Sequence, residues 1–384
     1  MTVPGSSSPL DALFRPITIN TCTLRNRIVM CPMTRGFSPG GIPGQKSIDY
    51  YRRRAEGGVG LIITEGVAVN PEGSSGASIP NFFGDEALAQ WKLIADAVHQ
   101  AGGRIMPQLW HAGLVRGGEG LSFGIDETIP SLGPSGFYPN LVNVKEGQPP
   151  YNVGRTMTEA DIDRTIDDCV RFAESAQRLG FDGIQLHGAH GYLFDQFFWS
   201  ATNRRSDRYN GAIGERTCFA VETIRAIRHR VGPDFPLCLR FSQWKLPQNY
   251  GVRMLATPQE LEQFLEPLVD AGIDFFDCST RRFWEPEFPG SDLNLAGWTQ
   301  RISGRPAVAV GSVGLSGPLM TGARSPDGAQ PVGIDKLLAM LERGDFDLVG
   351  VGRALIPNPD WPNKVRAGRD DELRPYTTHT DDLY

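Results

Sequence analysis

The sequence of 384 residues has no apolar run that approaches the roughly 20 residues of a membrane-spanning helix. Residues 1–10 are rich in serine, proline and glycine and lack the apolar core of a signal peptide. We therefore expect a disordered leader over 1–10, a cytoplasmic location and no membrane partner.

Cysteine and concentrated positive charge are also scarce. The six cysteines form no C-x-x-C pair, which argues against a zinc ribbon or an iron–sulfur motif and predicts reduced, mostly buried thiols. A net charge of −6 argues against nucleic acid as a partner. The one dense basic run, Arg52-Arg53-Arg54, is interpreted as the solvated face of a helix.

What the sequence does contain is an alternation of short apolar runs with longer helical patterns. Several of the runs are continuously apolar, as in parallel strands that are buried on both faces. The eight predicted strands are Arg27–Met33, Gly60–Glu65, Arg104–Leu109, Gly183–His187, Leu237–Phe241, Phe275–Cys278, Ala307–Val310 and Leu348–Val351.

The helices between these strands have readable ends. Thr158 begins a capping box for a helix that ends near Leu179, and Thr257 precedes a proline at the first helical position. The other predicted helices are Asp85–Gln100, Glu215–Val231 and Ile334–Arg343, and the glycines that end helices are Gly102, Gly232, Gly272 and Gly344.

Eight β-then-α units predict an α/β fold, a (β/α)8 TIM barrel. A doubly wound sheet is the competing fold, but no G-x-G-x-x-G follows the first strand. The glycine- and proline-rich stretch 111–157 after strand 3 is too long for a plain loop, so we expect a capping subdomain there. The predicted organisation is one barrel over 11–366 and a C-terminal tail over 367–384.

Chemistry is expected where the strands end, and strand 4 ends in His187, His190 and Tyr192. Two imidazoles can hold a carbonyl or oxyanion, and a phenol can deliver a proton. This combination suits the reduction of a polarised double bond, with hydride from a redox cofactor. The same H-x-x-H pair could instead ligate a metal, or bond structurally to backbone carbonyls.

Glycines follow strands 7 and 8, where barrels of this kind often bind phosphate. Gly311, Ser312 and Gly314 follow strand 7, and Gly352 and Arg353 follow strand 8. Backbone N–H groups can approach a phosphate beside glycine, and Arg353 would add a fixed cation. The alternative is that these are ordinary turn glycines.

Together these features resemble the Old Yellow Enzyme family of FMN-dependent ene-reductases over nearly the whole chain. The landmarks that carry the resemblance are 24–34 (LRNRIVMCPMT), 58–66 (GVGLIITEG), 108–113 (QLWHAG), 187–192 (HGAHGY), 203–211 (NRRSDRYNG) and 351–353 (VGR). The combination of H-x-x-H with Thr34 and Trp110 leaves the branch of the family, and so the substrate preference, open.

The resemblance implies tightly but non-covalently bound FMN across the barrel mouth. Contacts to the ring are implied for Pro32, Met33, Thr34, Gly66, Gln108 and Arg240, and contacts to the phosphate for Gly311, Ser312, Gly314, Gly352 and Arg353. Thr34 has the alternative of simply closing a strand, and Arg240 that of a surface salt bridge.

The resemblance also implies a reaction in two halves. NADPH or NADH reduces the flavin, and flavin N5 then passes hydride to the β-carbon of an α,β-unsaturated carbonyl or nitro compound. His187 and His190 would hold the substrate oxygen, Tyr192 would protonate the α-carbon, and Trp110 would contact the substrate.

Two other functions remain open. A metal-dependent barrel hydrolase would use His187, His190 and His111 as ligands, and a non-catalytic protein would bind FMN without turning over an enone. The loop 281–288 (RRFWEPEF) could line the substrate pocket, meet an NADPH phosphate, or pack on itself. The oligomeric state is left open between a monomer and a homo-oligomer.

Overall fold

The computed structural model describes residues 9–116, 126–139, 151–246, 251–317 and 328–377, with the side chains of 151–153 left aside. Residues 1–8 of the predicted leader and 378–384 of the predicted tail lie outside the described residues. Pro9–Phe14 is a short helix. The domain boundaries, including that of the leader over 1–10, stay predictions.

Eight parallel strands close into a barrel in chain order, which confirms the predicted fold. The first strand ends at Met30, before the predicted Met33; the next five end beyond their predicted positions, and the last two match their predictions. The strands are β1 (Ile28–Met30), β2 (Leu61–Ala68), β3 (Arg104–Trp110), β4 (Ile184–His190), β5 (Leu237–Lys245), β6 (Phe275–Ser279), β7 (Ala307–Val310) and β8 (Leu348–Val351).

A helix follows each strand and packs outside the barrel. The helices are α1 (Gln45–Glu56), α2 (Asp85–Gln100), α3 (Glu159–Arg178), α4 (Cys218–Val231), α5 (Pro258–Ala271), α6 (Leu295–Ser303), α7 (Asp335–Glu342) and α8 (Trp361–Arg366). A further short helix, Leu193–Phe198, lies between β4 and α4.

The two predicted helix caps are confirmed in atomic detail. The Thr158 side chain accepts from the Asp161 N–H while the Asp161 carboxylate accepts from the Thr158 N–H, a reciprocal capping box. Thr257 accepts from the Glu260 N–H at 3.2 Å. These bonds satisfy N–H groups that the first turn of a helix leaves without partners.

The bottom of the barrel, at the amino ends of the strands, is closed by a hairpin of Ile17–Ile19 and Cys22–Leu24. Its apolar side chains join the cluster that fills the barrel interior. At its tip, the Asn20 amide donates to the Pro233 carbonyl at 2.7 Å, in the turn before β5. The opposite end, at the carboxyl ends of the strands, is left to form a cavity.

The described part of the insertion after β3 contains two small sheets. Leu132–Gly133 pairs with Arg155–Thr156, and Phe137–Pro139 pairs with Tyr151–Val153. The Tyr138 hydroxyl donates to the carbonyl of Leu246, which lines the cavity. The insertion therefore reaches the rim of the barrel, as expected of a cap.

The interpretation of the basic run as a solvated helix face is wrong for one of its three members. Arg52 is half-buried and Arg53 exposed, but Arg54 is buried and donates to the carbonyls of Tyr50 and Leu355. Its guanidinium lies 3.6 Å from the centre of the Tyr50 ring. Arg54 thus joins α1 to the segment after β8, because a buried guanidinium needs several acceptors.

All six cysteines carry free thiols and five are buried, as predicted. Among the described residues, no helix is both long enough and apolar enough to span a membrane.

Candidate active site

A cavity of about 640 Å³ opens at the carboxyl ends of the strands. It brings together most of the side chains that the sequence singled out, although they come from seven different strand ends. The predicted residues that line it are Pro32, Met33, Thr34, Gly66, Gln108, His187, His190, Tyr192, Arg240, Gly311, Ser312, Gly352 and Arg353. The size is that of a site for a small molecule or cofactor.

Two predicted site residues lie outside this lining. Trp110 packs behind it, with its ring centre 5.0 Å from that of Tyr192 in an edge-to-face arrangement. A Cβ at Gly66 would lie 2.8 Å from the Trp110 ring, so glycine lets this indole pack close to the strand end. Gly314 sits against Trp361 and away from the cavity. The structure therefore gives Trp110 a supporting place behind Tyr192.

His187 presents one nitrogen to the cavity. Burial, and secondly the charge of Arg240, holds the pKa of His187 well below its usual range, so the ring is neutral at pH 7. Its Nδ1 is buried and has no hydrogen-bond partner among the described residues. We assign the proton to Nε2, where it can donate into the cavity, because an N–H at Nδ1 would be buried without an acceptor among these residues.

His190 is turned towards the cavity by an irregularity in β4. The pairing of β4 with β5 shifts register between Gly188 and His190, and His190 has φ of 66°, which few residues other than glycine adopt. Its ring stacks on Trp244 with centres 4.2 Å apart. Burial, followed by Arg240, also lowers the pKa of His190 well below its usual range. The site thus offers two neutral imidazoles.

Tyr192 stands beside both the first imidazole and the indole. Its ring centre lies 4.7 Å from that of His187. Burial raises the pKa of Tyr192 well above its usual range, so the phenol keeps its proton at neutral pH. A protonated phenol next to two neutral imidazoles is suited to donating a proton to a bound molecule.

A buried polar network lies beside Arg240. Strand pairing sets Arg240 opposite His187 on one side and opposite Asp277 on the other. The guanidinium Nη2 donates to Ser279 Oγ at 3.1 Å, and Nε lies 3.6 Å from Asp277 Oδ2. Arg240 is therefore a buried group of the site, not the surface salt-bridge partner that was the alternative.

The same network orients Gln108. The Gln108 amide nitrogen donates to Gln185 Oε1 at 2.7 Å, and Gln185 in turn donates to Asp277 Oδ2 at 2.9 Å. Because the amide nitrogen of Gln108 is used in this bond, its carbonyl oxygen is free to accept a hydrogen bond from a ligand. Gln108 consequently presents an acceptor to the cavity, beside the donors of Arg240.

An ion pair with no solvent exposure supports the segment that bears the imidazoles. Lys245 Nζ lies 2.7 Å from Asp195 Oδ1, and both side chains are 0% exposed. Asp195 also accepts from the Gly191 N–H at 2.6 Å, and Lys245 donates to the Ser242 carbonyl at 2.9 Å. The pair joins β5 to the turn between His190 and Tyr192.

Comparison with known proteins identifies the family. Residues 12–372 match the model of the NADH:flavin oxidoreductase / NADH oxidase family. The chain belongs to this family. The structure is similar to that of morphinone reductase in complex with tetrahydroNAD (TM-score 0.76, 25% identity, 96% of this chain and 93% of that one). It is also similar to the Old Yellow Enzyme homologue from Zymomonas mobilis (TM-score 0.76, 27% identity, 96% of both chains).

Curated relatives of this NADH:flavin oxidoreductase family differ in length. A NADH oxidase from Thermoanaerobacter brockii is 34% identical over 94% of this chain and 52% of its own length. A metal reductase from Desulforamulus reducens is 29% identical over 95% of this chain and 50% of its own length. The chain thus spans about half of these two relatives. The aldehyde reductase FrzD from Cladobotryum is 30% identical over 96% of this chain and 90% of its own length.

Membership of this family supports the expectation of FMN with a nicotinamide coenzyme, and the cavity of this chain fits that cofactor. The described lining contains no carboxylate and has four arginines, Arg35, Arg240, Arg281 and Arg353. A phosphate and a ring that gains negative charge on reduction both favour such a lining. Asp277, 3.6 Å from Arg240 Nε, and Ser279, which accepts from Nη2, hold this guanidinium in place at the lining.

Several lining residues were not predicted. The main ones are Arg35, Phe37, Trp244, Ser279 and Tyr376. Ser279 could have been found, because it directly follows the predicted end of β6 and chemistry was expected at strand ends. No pattern in the sequence indicated that Tyr376 would line the cavity. It reaches the cavity from the predicted tail through a bridge to Ala329.

The loop 281–288 combines two of its predicted possibilities. Arg281 lines the cavity, whereas Arg282 pairs with Glu285 at 2.9 Å on the outside. Phe283 and Phe288 are buried, and Phe288 packs against Trp298 with ring centres 5.5 Å apart. The aromatic residues therefore fix the loop and leave Arg281 at the cavity.

Proposed function

We propose that this chain is an FMN-dependent ene-reductase that reduces the activated C=C bond of an α,β-unsaturated carbonyl compound at the expense of NAD(P)H. The observation that carries the proposal is the meeting of two neutral imidazoles, His187 and His190, with the protonated phenol of Tyr192 at one cavity. The hydride would come from NAD(P)H by way of FMN, since no side chain can donate hydride.

The chain's own residues would hold FMN at two ends of the cavity. Gln108 and Arg240 would bond the pyrimidine edge, with Pro32, Met33, Thr34 and Gly66 against the ring. Gly311, Ser312, Gly352 and Arg353 would hold the phosphate. Gly311 has φ of 139° and Ser312 φ of 55°, a backbone curvature that can aim N–H groups at an anion.

The imidazoles would act on the substrate oxygen. Because both rings are neutral, each can donate a single N–H to a carbonyl without adding a full charge to the site. Their hydrogen bonds strengthen as negative charge develops on that oxygen, which stabilises the transition state more than the substrate. Tyr192 would then supply the proton to the α-carbon.

The metal-dependent hydrolase finds no support in the geometry. Among the described residues no group of three or more His, Cys, Asp and Glu side chains is placed to hold a metal ion. His111 is not part of the cavity lining, and its Nδ1 accepts from the Gly113 N–H at 3.1 Å. The non-catalytic FMN-binding protein remains the second candidate, because it needs the same cavity.

The test is the visible absorption spectrum of the purified protein, with the released cofactor identified and NADPH-dependent reduction of cyclohex-2-enone then measured. We expect a yellow protein with bound FMN that reduces the enone. A yellow protein without enone turnover would favour the non-catalytic candidate. A colourless protein that takes up no added FMN would overturn the proposal at its cofactor.

A further inference from the structure

The hydroxyl of Ser279 lies between two groups of the site. Its Oγ is 2.8 Å from His190 Nε2 and 3.1 Å from Arg240 Nη2. Ser279 ends β6 and is 2% exposed. No other hydrogen-bond partner of its hydroxyl occurs in the described parts of the chain.

The donors and acceptors of this group can be assigned one by one. A guanidinium can only donate, so the Arg240 contact occupies a lone pair of Ser279 Oγ. The hydroxyl proton then needs an acceptor, and His190 Nε2 is the one acceptor that the described residues bring within reach. If His190 also donated to Ser279, the buried hydroxyl proton would have no partner, which is unfavourable.

We propose that Ser279 is a positioning residue that donates to His190 Nε2 and so fixes His190 with its proton on Nδ1. The Nδ1–H is then the only ring donor of His190 and is kept for the oxygen of the substrate. The tautomer of a histidine is commonly set in this way by the bond that its other nitrogen makes. The inference rests on the proposed function only in naming a carbonyl as the ligand.

Trp244 reinforces the arrangement from a second direction. Its indole stacks on the His190 ring at an angle of 22°, while its Nε1 donates to the Ser279 carbonyl at 3.2 Å. The plane of the imidazole and the position of Ser279 are therefore fixed by the same side chain. Rotation of His190 away from Ser279 would break both the stack and the hydrogen bond.

The two imidazoles are consequently prepared by different means. His187 Nδ1 is buried and has no partner in the part of the chain that the structure describes, which favours the proton on Nε2. His190 has a dedicated donor at Nε2, which moves its proton to Nδ1. Loss of the Ser279 hydroxyl should therefore change the tautomer of His190 and leave that of His187 unchanged.

The direct test is nitrogen-15 NMR of the full chain with labelled histidine, with and without added FMN, with His190 assigned from a His190→Gln spectrum. We expect an unprotonated Nε2 and a protonated Nδ1 for His190. Ser279→Ala should abolish this preference, and Ser279→Thr, which keeps the hydroxyl, should restore it. A protonated Nε2 in the wild-type protein would overturn the proposal.

Ligand binding gives a second readout on the FMN-loaded protein. Loss of one neutral hydrogen bond should weaken phenol binding, and raise KM for cyclohex-2-enone, by roughly three- to tenfold in Ser279→Ala. Ser279→Thr should stay within about twofold of wild type. Thr299→Val is the matched control, because the Thr299 hydroxyl is buried behind β6 near Cys278. Equal losses in this control and in Ser279→Ala would overturn the proposal.

The outcomes separate this inference from the proposed function. Absence of FMN or of enone turnover would contradict the ene-reductase, whereas the tautomer of His190 can be read without either. An Nδ1-protonated His190 in a protein that reduces no enone would leave the role of Ser279 standing and reject the function.

Discussion

At the scale of single residues, the same burial has opposite effects on the protons of the site. It lowers the pKa of His187 and His190 and raises that of Tyr192, because in each case the charged form is disfavoured. All three groups are therefore neutral at pH 7, each with one proton to offer. Arg240 is the fixed cation beside them.

Replacing Tyr192 by phenylalanine tests the proton donor. Loss of a positioned general acid slows a reaction by about 10²–10⁴, so enone reduction should slow by that factor while reduction of the flavin by NADPH stays nearly unchanged. Stopped-flow single-turnover kinetics measure the two halves separately. The control is Tyr209→Phe. The Tyr209 hydroxyl lies outside the cavity and donates to Glu222 Oε2 at 2.9 Å. Equal slowing of both half-reactions would contradict the assignment.

The buried Lys245–Asp195 pair makes a prediction about stability. Burial lowers the pKa of Lys245 and raises that of Asp195, so each charge depends on the other. Lys245→Met should reduce the free energy of unfolding by roughly 3–5 kcal/mol, because it leaves a buried carboxylate without its partner.

Urea denaturation measures this change against two further variants. Lys92→Met removes an exposed pair, with side chains 47% and 41% exposed, and should cost less than about 1 kcal/mol. Lys245→Met combined with Asp195→Asn should recover part of the loss. A Lys245→Met variant as stable as Lys92→Met would show that the pair does not support the fold.

At the scale of elements, the carboxylate of Glu65 in β2 holds the segment that follows β1. Its Oε2 accepts from the N–H groups of Arg35 and Gly36 at 2.8 and 3.2 Å. This segment carries Pro32, Met33 and Thr34, which line the cavity. Glu65 therefore positions one wall of the site without lining it.

Glu65 also predicts a pH dependence of stability. Burial raises the pKa of Glu65 from 4.5 to about 7, although the two N–H groups oppose the change. The folded state then binds the proton more tightly than the unfolded state, so this carboxyl favours folding at low pH. The contribution is lost as pH rises from about 4.5 to 7 and amounts to roughly 3 kcal/mol.

The comparison with Glu65→Gln isolates this effect from other titrating groups. Between pH 5 and pH 8, the free energy of unfolding of the wild type should fall relative to that of the variant by most of that amount. Urea unfolding at both pH values measures the difference. Parallel behaviour of the two proteins would mean that Glu65 titrates as an ordinary exposed carboxyl.

The elements themselves were largely predictable from the sequence. All eight strands and the five named helices were found, because continuous apolar runs and capping residues are local signals. The carboxyl ends of β2 to β6 were placed too early, as in β5, which continues past Phe241 to Lys245. Polar side chains such as Ser279 look like loop residues in a sequence, but here the closed barrel pairs and buries them.

At the scale of the whole molecule, the site depends on contacts that no local pattern contains. Gln108, Gln185, Arg240 and Asp277 form one network only because four strands pair in the observed register. Tyr376 reaches the cavity from beyond the last helix. The guanidinium of Arg353 lies 5.4 Å from the centre of the Tyr376 ring. The individual strand-end residues were predictable, whereas their partners required the register.

A ligand that spans the barrel mouth should stabilise the whole fold. FMN would contact segments from Pro32 to Arg353, so binding to the folded state alone should add about 2.7 kcal/mol at a concentration of 100 times Kd. The Tm of the full chain should therefore rise with added FMN.

Arg353→Met should weaken FMN binding and diminish this rise in Tm, because it removes a cation from the lining. Arg366→Met is the control, since Arg366 lies 5.1 Å from the Phe14 ring outside the cavity. Equal shifts in Tm for both variants would contradict the assignment of Arg353 to the FMN site.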